Sequence, residues 1–181
     1  FPTRRSSDLY NVREAAQILD RDLYELHLVS AHLGSGASLA AVREGHSVDT
    51  TMGFTPLEGL VMSTRSGTID PAISAWLVSK TGLSVTEVIR RLERESGLYG
   101  LAGDTHMGAI VDRANAAEAE AQLAMGVWAH RAAGMIGQMV VSAGGLDALG
   151  LTGRIAIPAG MAMDQKIENL ALTVDLTDLT G

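Results

Sequence analysis

The sequence predicts an α/β fold in which strands come early and late in the chain and helices lie between them. Residues 26–31 (LHLVSA) form a compact apolar run of strand length, and a glycine-rich turn follows directly. An alanine-rich helical region extends over about residues 110–141, and residues 146–151 are typical of a returning strand. With 46% hydrophobic residues and only four prolines among 181, the chain is expected to form a folded core.

The first half of the chain is predicted to contain a helix and a hairpin. Before the first strand, apolar residues recur at the i, i+3, i+4 and i+7 positions of one helix face: Val12, Ala15, Ala16 and Leu19. After the glycine-rich turn, residues 38–43 and 46–50 have strand patterns and are joined by Glu44-Gly45. This arrangement predicts a β-hairpin next to the first strand.

Helix boundaries are well marked after the hairpin. Asp70-Pro71 is a helix start and Gly82 a helix end, and the helix between them is expected to bury Ile73, Trp76 and Leu77. Ser84 and Glu87 form a capping box that begins a second helix. Residues 97–103 contain three glycines and are expected to form a loop, and Gly144-Gly145 ends the alanine-rich region.

Composition narrows the classes of function. The net charge of −7 and the lack of a long basic run argue against nucleic acid as a partner. The absence of cysteine excludes disulfides and zinc-thiolate sites, which fits a cytoplasmic protein. No apolar run reaches the ~18 residues that would span a bilayer, so we expect no membrane insertion.

Two local patterns suit phosphate chemistry. Gly34, Ser35 and Gly36 let the backbone approach an anion closely, although a plain hairpin turn uses the same residues. Arg65 lies among small residues, and its planar fork suits phosphoryl oxygens. The alternative is that Arg65 pairs with Glu58 or Asp70 to fix its loop.

The Pro, His and Met residues that could belong to a site also have structural explanations. Pro56 and Leu57 are expected either to form an apolar wall of a pocket for a small organic group or to pack within their loop. The five histidines show no metal-ligand spacing, and we expect them to be structural or solvated. Met125, Met135 and Met139 are expected to fill the core. The described patterns therefore predict no metal site in this chain.

Taken together, three motifs resemble the acetate kinase family, which phosphorylates short-chain carboxylates. They are HLGSGAS at residues 32–38, DTTMGFTPLEGL at 49–60 and TRSGTIDP at 64–71. Weaker agreement continues through SGLYGLAG at 96–103 to GGLDAL at 144–149. The resemblance implies a partial ribonuclease-H-like C-terminal domain of the actin-like ATPase class, made of a strand hairpin plus helices.

The resemblance also implies roles, substrates and partners. ATP phosphate contacts are expected on the turn formed by His32, Leu33, Gly34, Ser35 and Gly36. Arg65 is implied to stabilise the transferring phosphoryl group in catalysis, and Pro56 to line the acetate pocket. ATP and Mg²⁺ are the implied cofactors, and the full-length protein is implied to be a homodimer.

The chain departs from the family's pattern at several of these positions. Ser35 replaces the usual Asn, and Ser63 stands where the family usually has Gly. The adenosine-contacting D-M-R motif aligns with His106, Met107 and Gly108, and the adenine loop T-G-G-I-G-E-N becomes TGRIAIP from Thr152. A phosphoryl-contacting His would fall at Arg4.

These departures suggest a division of the chain into three segments. Residues 1–9 (FPTRRSSDL) resemble a translated sequencing adaptor, residues 10–153 are a partial C-terminal kinase domain, and residues 154–181 are a divergent tail, possibly out of frame. Reading the source DNA tests both hypotheses. The family's catalytic Asp, substrate Arg and Mg²⁺-linked Glu are expected outside this chain.

The sequence therefore predicts an acetate kinase, which makes acetyl phosphate from ATP and acetate. The alternatives are a propionate or butyrate kinase and an inactive nucleotide-binding or interaction fragment.

Overall fold

The computed structural model describes residues 6–152 and the strand 168–172, and a five-stranded sheet organises them. The strands are β1 (His27–Leu33), β2 (Ala37–Arg43), β3 (His46–Thr50), β4 (Ala148–Thr152) and β5 (Glu168–Leu172), in the order β3-β2-β1-β4-β5. β1 and β4 are parallel, and the other neighbouring pairs are antiparallel. The predicted α/β class is confirmed.

Six α-helices accompany this sheet in the described part of the chain. They are α1 (Ser6–Leu19), α2 (Ala72–Thr81), α3 (Val85–Arg94), α4 (Gly97–Ala102), α5 (Met107–Asn115) and α6 (Ala119–Ala143). Two of them, α1 and α6, pack directly on the sheet. A short 3₁₀ turn, Leu23–Glu25, precedes β1. The early helix, the hairpin and the returning strand lie where the sequence predicts them.

The sheet is covered on both faces. Because side chains alternate along a strand, Val29 and Ala31 of β1 point into a cluster with Met139 and Ala143 of α6. Leu28 points the opposite way, into a second cluster that includes Val12 and Ala15 of α1. This two-sided burial explains why β1 is a continuous apolar run instead of an alternating one.

Backbone conformations agree with the predicted turns and caps. Glu44 and Gly45 have φ values of 51° and 69°, the two positive values that a tight hairpin turn requires. Gly82 ends α2 in the left-handed conformation, and Ser84 caps α3 by accepting a hydrogen bond from the Glu87 N–H.

The predicted buried face of α2 is wrong. No residue of α2 is buried, and Ile73 and Trp76 are 40% and 59% exposed. The helix packs mainly against α3, since α1 and α6 already cover the two faces of the sheet. Apolar spacing indicated a helix correctly but did not identify a partner for its apolar side.

The predicted loop at residues 97–103 is also wrong, because most of it forms α4. Two of its glycines flank the helix instead of interrupting it: Gly97 has φ 62° at the first position and Gly103 caps the end at φ 69°. The alanine-rich region 110–141 likewise divides into α5 and α6, with Ala117 at φ 63° between them.

Some sequence-based hypotheses concern residues outside the described part of the chain. Residues 1–5, 153–167 and 173–181 lie outside the described residues, and they include Arg4 and most of the segment 154–181. Helix α1 begins at Ser6, inside the segment 1–9. The proposed origins of both end segments stay predictions. No helix in the described ranges has the length and apolarity needed to cross a membrane.

Candidate functional site

The glycine-rich turn lies at one edge of the sheet. It joins the end of β1 to the start of β2, and His32 in β1 is level with Thr152 in the parallel strand β4. The carboxyl ends of the two parallel strands therefore meet beside this turn. In open α/β sheets, ligands bind in the crevice outside such strand ends.

A cavity of about 320 Å³ opens beside the turn. Leu33, Gly34 and Ser35 form one side of it. The remaining lining is mostly apolar, and its polar groups come from Ser63, Thr105 and His106. The apolar members are Ala37, Met62, Leu98, Met107, Met125 and Trp128. Apolar walls with a few convergent polar groups are the usual composition of a small-molecule site.

The guanidinium of Arg65 lies against the other side of the same turn. Its Nη1 donates to the Pro56 carbonyl oxygen at 3.3 Å and weakly to the Met62 Sδ at 3.5 Å. A β-carbon added at Gly36 would lie 3.4 Å from this Nη1. Within the described residues Arg65 forms no ion pair, so the alternative in which it pairs with Glu58 or Asp70 is wrong.

Backbone hydrogen bonds hold the loop that carries Arg65. Residues 62–66 are bound to the chain from the end of α3 to the start of α4, with N–H donors and carbonyl acceptors on both sides. The bonds are Ser66 N to Leu92 O at 3.0 Å, Ser96 N to Thr64 O at 2.9 Å, Leu98 N to Met62 O at 2.9 Å and Tyr99 N to Ser63 O at 2.8 Å. The loop is therefore fixed before any ligand arrives.

Ser63 connects this loop to the two edges of the cavity. Its backbone N–H donates to the Ser35 carbonyl oxygen at 3.2 Å, and its hydroxyl lies 3.5 Å from the Ser35 hydroxyl. The same hydroxyl donates to the Thr105 carbonyl oxygen at 3.1 Å. The turn, the Arg65 loop and the entrance to α5 thus form one hydrogen-bonded unit.

The entrance to α5 is ordered by Asp104. The backbone N–H of His106 donates to the Asp104 carboxylate at 2.9 Å, and this bond is the main reason that the pKa of Asp104 lies below its usual value. The His106 side chain is 84% exposed. A carboxylate that stays ionised near a helix N-terminus stabilises the helix start.

The structure thus brings together most of the residues that the sequence singled out. Leu33, Gly34 and Ser35 line the cavity, and the open side of Gly36 faces the Arg65 guanidinium. Pro56 is exposed, and it meets Arg65 through its carbonyl oxygen, outside the cavity lining. The binding and catalytic roles assigned to these residues stay predictions.

Three wall residues of the cavity had no functional assignment from the sequence. Met125 and Trp128 are three residues apart on α6. This spacing is equally typical of residues that pack in a core. Leu98 lies in α4, which was expected to be a loop. The only signal in the sequence is that a Met and an aromatic residue share a helix face, which core packing produces as well.

The described part of the chain offers no ready-made cage for a metal ion. Among the described residues, no three His, Cys, Asp or Glu side chains are grouped so that they could hold one. At nucleotide sites Mg²⁺ is usually held by one or two carboxylates together with substrate phosphates and water.

The fold and the site define a class of protein. The sheet is covered on both faces, a glycine-rich turn and a cavity lie at the ends of its parallel strands, and Arg65 forms no ion pair with a described residue. These features place the chain among open-sheet α/β proteins, which bind ligands outside such strand ends. The solved acetate kinases that this chain resembles share the actin-like ATPase fold.

The chain belongs to the acetokinase family, whose model matches residues 4–178. It is 42% identical over 175 residues to an acetate kinase of Rippkaea orientalis, covering 94% of this chain and 43% of that protein. An acetate kinase of a Synechococcus strain is 49% identical over 144 residues, covering 79% of this chain and 36% of that protein. The sequence-based assignment to this family is confirmed.

Solved structures agree with the sequence relatives. The crystal structure of Porphyromonas gingivalis acetate kinase superposes with a TM-score of 0.76 at 33% identity, covering 79% of this chain and 36% of that one. A propionate kinase from Francisella tularensis gives a TM-score of 0.74 at 41% identity, covering 79% and 37%. The chain thus spans about two fifths of the length of the relatives it matches.

Proposed function

We propose that this chain functions in ATP-dependent acetate kinase chemistry. A carboxylate oxygen of acetate attacks the γ-phosphorus of ATP, the bond from that phosphorus to the β–γ bridging oxygen breaks, and acetyl phosphate and ADP leave. Family membership supports the proposal, and one observation carries it: Arg65 lies against the glycine-rich turn without an anionic partner in the described ranges.

Arg65 is the proposed catalytic residue. Phosphoryl transfer needs positioning and neutralisation of the charge on the equatorial oxygens, and a guanidinium supplies two parallel donors for that purpose. The hydrogen bond to the Pro56 carbonyl and the contact with Met62 hold the guanidinium in place. Because it is already oriented, little conformational freedom is lost when charge develops.

The turn at residues 34–36 is the proposed phosphate contact of ATP. Glycines at 34 and 36 leave no side chain between the backbone and a phosphate oxygen. The neighbouring cavity of about 320 Å³, with its Met and Trp walls, would take the apolar surface of the nucleoside. His32, at the end of β1, completes the expected contact segment.

The acceptor carboxylate is the less constrained part of the proposal. Pro56 is proposed to contact the acceptor's alkyl group, and the ring is exposed beside Arg65. A propionate kinase is among the solved structures that this chain resembles, which makes propionate the second candidate substrate. Butyrate is the third. Mg²⁺, a homodimer of the full-length protein and a cytoplasmic location stay predictions.

The test is an assay with ATP, Mg²⁺ and acetate, propionate or butyrate, in which hydroxylamine traps the acyl phosphate. We expect hydroxamate from acetate, its loss in Arg65→Ala, and unchanged turnover in Arg94→Ala, which removes an exposed arginine of α3. Faster turnover with propionate would reassign the substrate. ATP binding without turnover would favour a non-catalytic nucleotide-binding chain, and the absence of both would contradict the proposal.

A further inference from the structure

Ser63 has a central position among the segments around the cavity. Its backbone carbonyl accepts from Tyr99 N in α4 at 2.8 Å, and its backbone N–H donates to Ser35 O at 3.2 Å. Its hydroxyl donates to Thr105 O at 3.1 Å, just before α5. One residue therefore touches three separate segments, and Arg65 follows it two positions later in the chain.

The hydroxyls of Ser63 and Ser35 approach each other at this point. Their oxygen atoms are 3.5 Å apart, longer than the ~2.5–3.0 Å of a normal O–H···O hydrogen bond, so the bond between them is weak. A glycine at position 63 would have no hydroxyl for either Ser35 or Thr105.

The hydroxyl adds a link that the backbone does not provide. The backbone bonds of Ser63 reach the turn and α4, whereas only its hydroxyl reaches Thr105. Ser35, Ser63 and Thr105 all line the cavity. A ligand that contacts both the turn and the α5 entrance therefore depends on the spacing that this hydroxyl fixes.

We propose that Ser63 is a positioning residue of the nucleotide site, whose hydroxyl sets the phosphate turn relative to the α5 entrance and acts as a pair with Ser35. The inference rests on the proposed binding of ATP. It assigns to Ser63 no contact with the reacting atoms.

The experiment is a titration of the 181-residue chain with ATP, followed by thermal unfolding of each variant. Loss of one neutral hydrogen bond predicts that Ser63→Ala raises the Kd for ATP roughly two- to tenfold. Ser63→Thr keeps the hydroxyl and is expected to bind within about twofold of the original chain. Ser66→Ala is the matched control, because that hydroxyl bonds only its own neighbour, the Gly67 carbonyl.

The outcomes separate the inference from the proposed function. If the unaltered chain binds no ATP, the proposed function fails and this inference fails with it. If the unaltered chain binds ATP and Ser63→Ala binds equally well, or Ser66→Ala loses as much affinity, Ser63 has no positioning role and the proposed function stands. Equal unfolding temperatures of the two Ala variants would show that a difference in Kd does not arise from general destabilisation.

A double-mutant cycle tests the pairing itself. Ser63→Ala and Ser35→Ala remove the two hydroxyls one at a time, and we expect each single variant to weaken ATP binding. In the double variant the Kd for ATP is expected to rise by less than the product of the two single increases, since contacting neighbours are not additive. Additive losses in the double variant would overturn the pairing of Ser35 with Ser63.

Discussion

Replacing Gly97 with Ala should displace the loop that carries Arg65. Gly97 has φ 62°, a conformation that favours glycine, and it begins α4 directly beneath that loop. A β-carbon at this position would lie well inside van der Waals contact of the Met62 carbonyl oxygen and 2.6 Å from the Arg65 carbonyl oxygen. Both contacts are with backbone, so rotation of a side chain cannot relieve them.

The expected cost has two parts. The left-handed conformation costs an alanine about 1–2 kcal/mol, and the steric overlap adds about 1–3 kcal/mol by analogy with overpacked cores. The total of about 2–5 kcal/mol is a large share of the ~5–15 kcal/mol that stabilises a typical protein. For a chain of this size it corresponds to a fall in Tm of roughly 4–20 °C.

The assay is thermal unfolding followed by circular dichroism, with Gly103→Ala as the matched control. Gly103 ends the same helix at φ 69°, and nothing lies within 4 Å of its added β-carbon. The control therefore has only the conformational cost of about 1–2 kcal/mol. Equal losses of Tm in the two variants would refute the claim that Gly97 is required by close backbone approach to the Arg65 loop.

Three further predictions concern the site and its support. Gly36→Ala should weaken ATP binding by about tenfold, because the added methyl group lies 3.4 Å from the Arg65 guanidinium and occupies the proposed phosphate position. Unchanged affinity for ATP in a titration would contradict this prediction. Hydrogen bonds, chiefly from Arg90, lower the pKa of Glu87 to about 2. The ionised Glu87 therefore contributes fully to stability above pH 4.5, and this contribution is lost as the pH falls toward 2. In urea unfolding, the free energy of unfolding of Glu87→Gln should fall less on acidification than that of the original chain. Asp147→Ala should lower the free energy of unfolding in urea by about 1–3 kcal/mol, since the Asp147 carboxylate accepts from the His27 N–H at 2.7 Å. A loss below about 0.5 kcal/mol would contradict the claim that this hydrogen bond supports β1.

Local signals predicted the elements that local chemistry determines. The Glu44-Gly45 turn and the Ser84 cap depend on residues within a few positions of each other, and the structure confirms both. The apolar run of β1 similarly predicts a strand, and its burial on both faces explains why few polar side chains interrupt the run.

Predictions that needed tertiary information failed or were absent. Helical spacing places Trp76 on an apolar helix face and so predicts that it is buried. Whether that face is buried depends on which helices cover the sheet, and α1 and α6 already do so. Glycines at 97 and 103 were interpreted as loop residues, although a glycine with positive φ serves equally well at a helix boundary.

In the candidate site, too, residue types were predictable from the sequence and long-range contacts were not. Arg65 and the turn at residues 34–36 were predicted from residue types, because phosphate chemistry restricts which residues are suitable. The hydrogen bond from Ser63 to the carbonyl of Thr105, 42 residues later, has no local signal. Trp128 has the same spacing in a core helix as in a cavity wall, so sequence periodicity could not separate the two.

The most direct test of the central claim is to titrate the chain with ATP and with adenosine, using the original chain and Arg65→Ala. If the turn and Arg65 recognise phosphate groups, loss of a charge-assisted hydrogen bond should lower the affinity for ATP by roughly 10- to 150-fold and leave adenosine binding unchanged. Equal ATP affinities of the two proteins, or an equal loss for adenosine, would contradict the account.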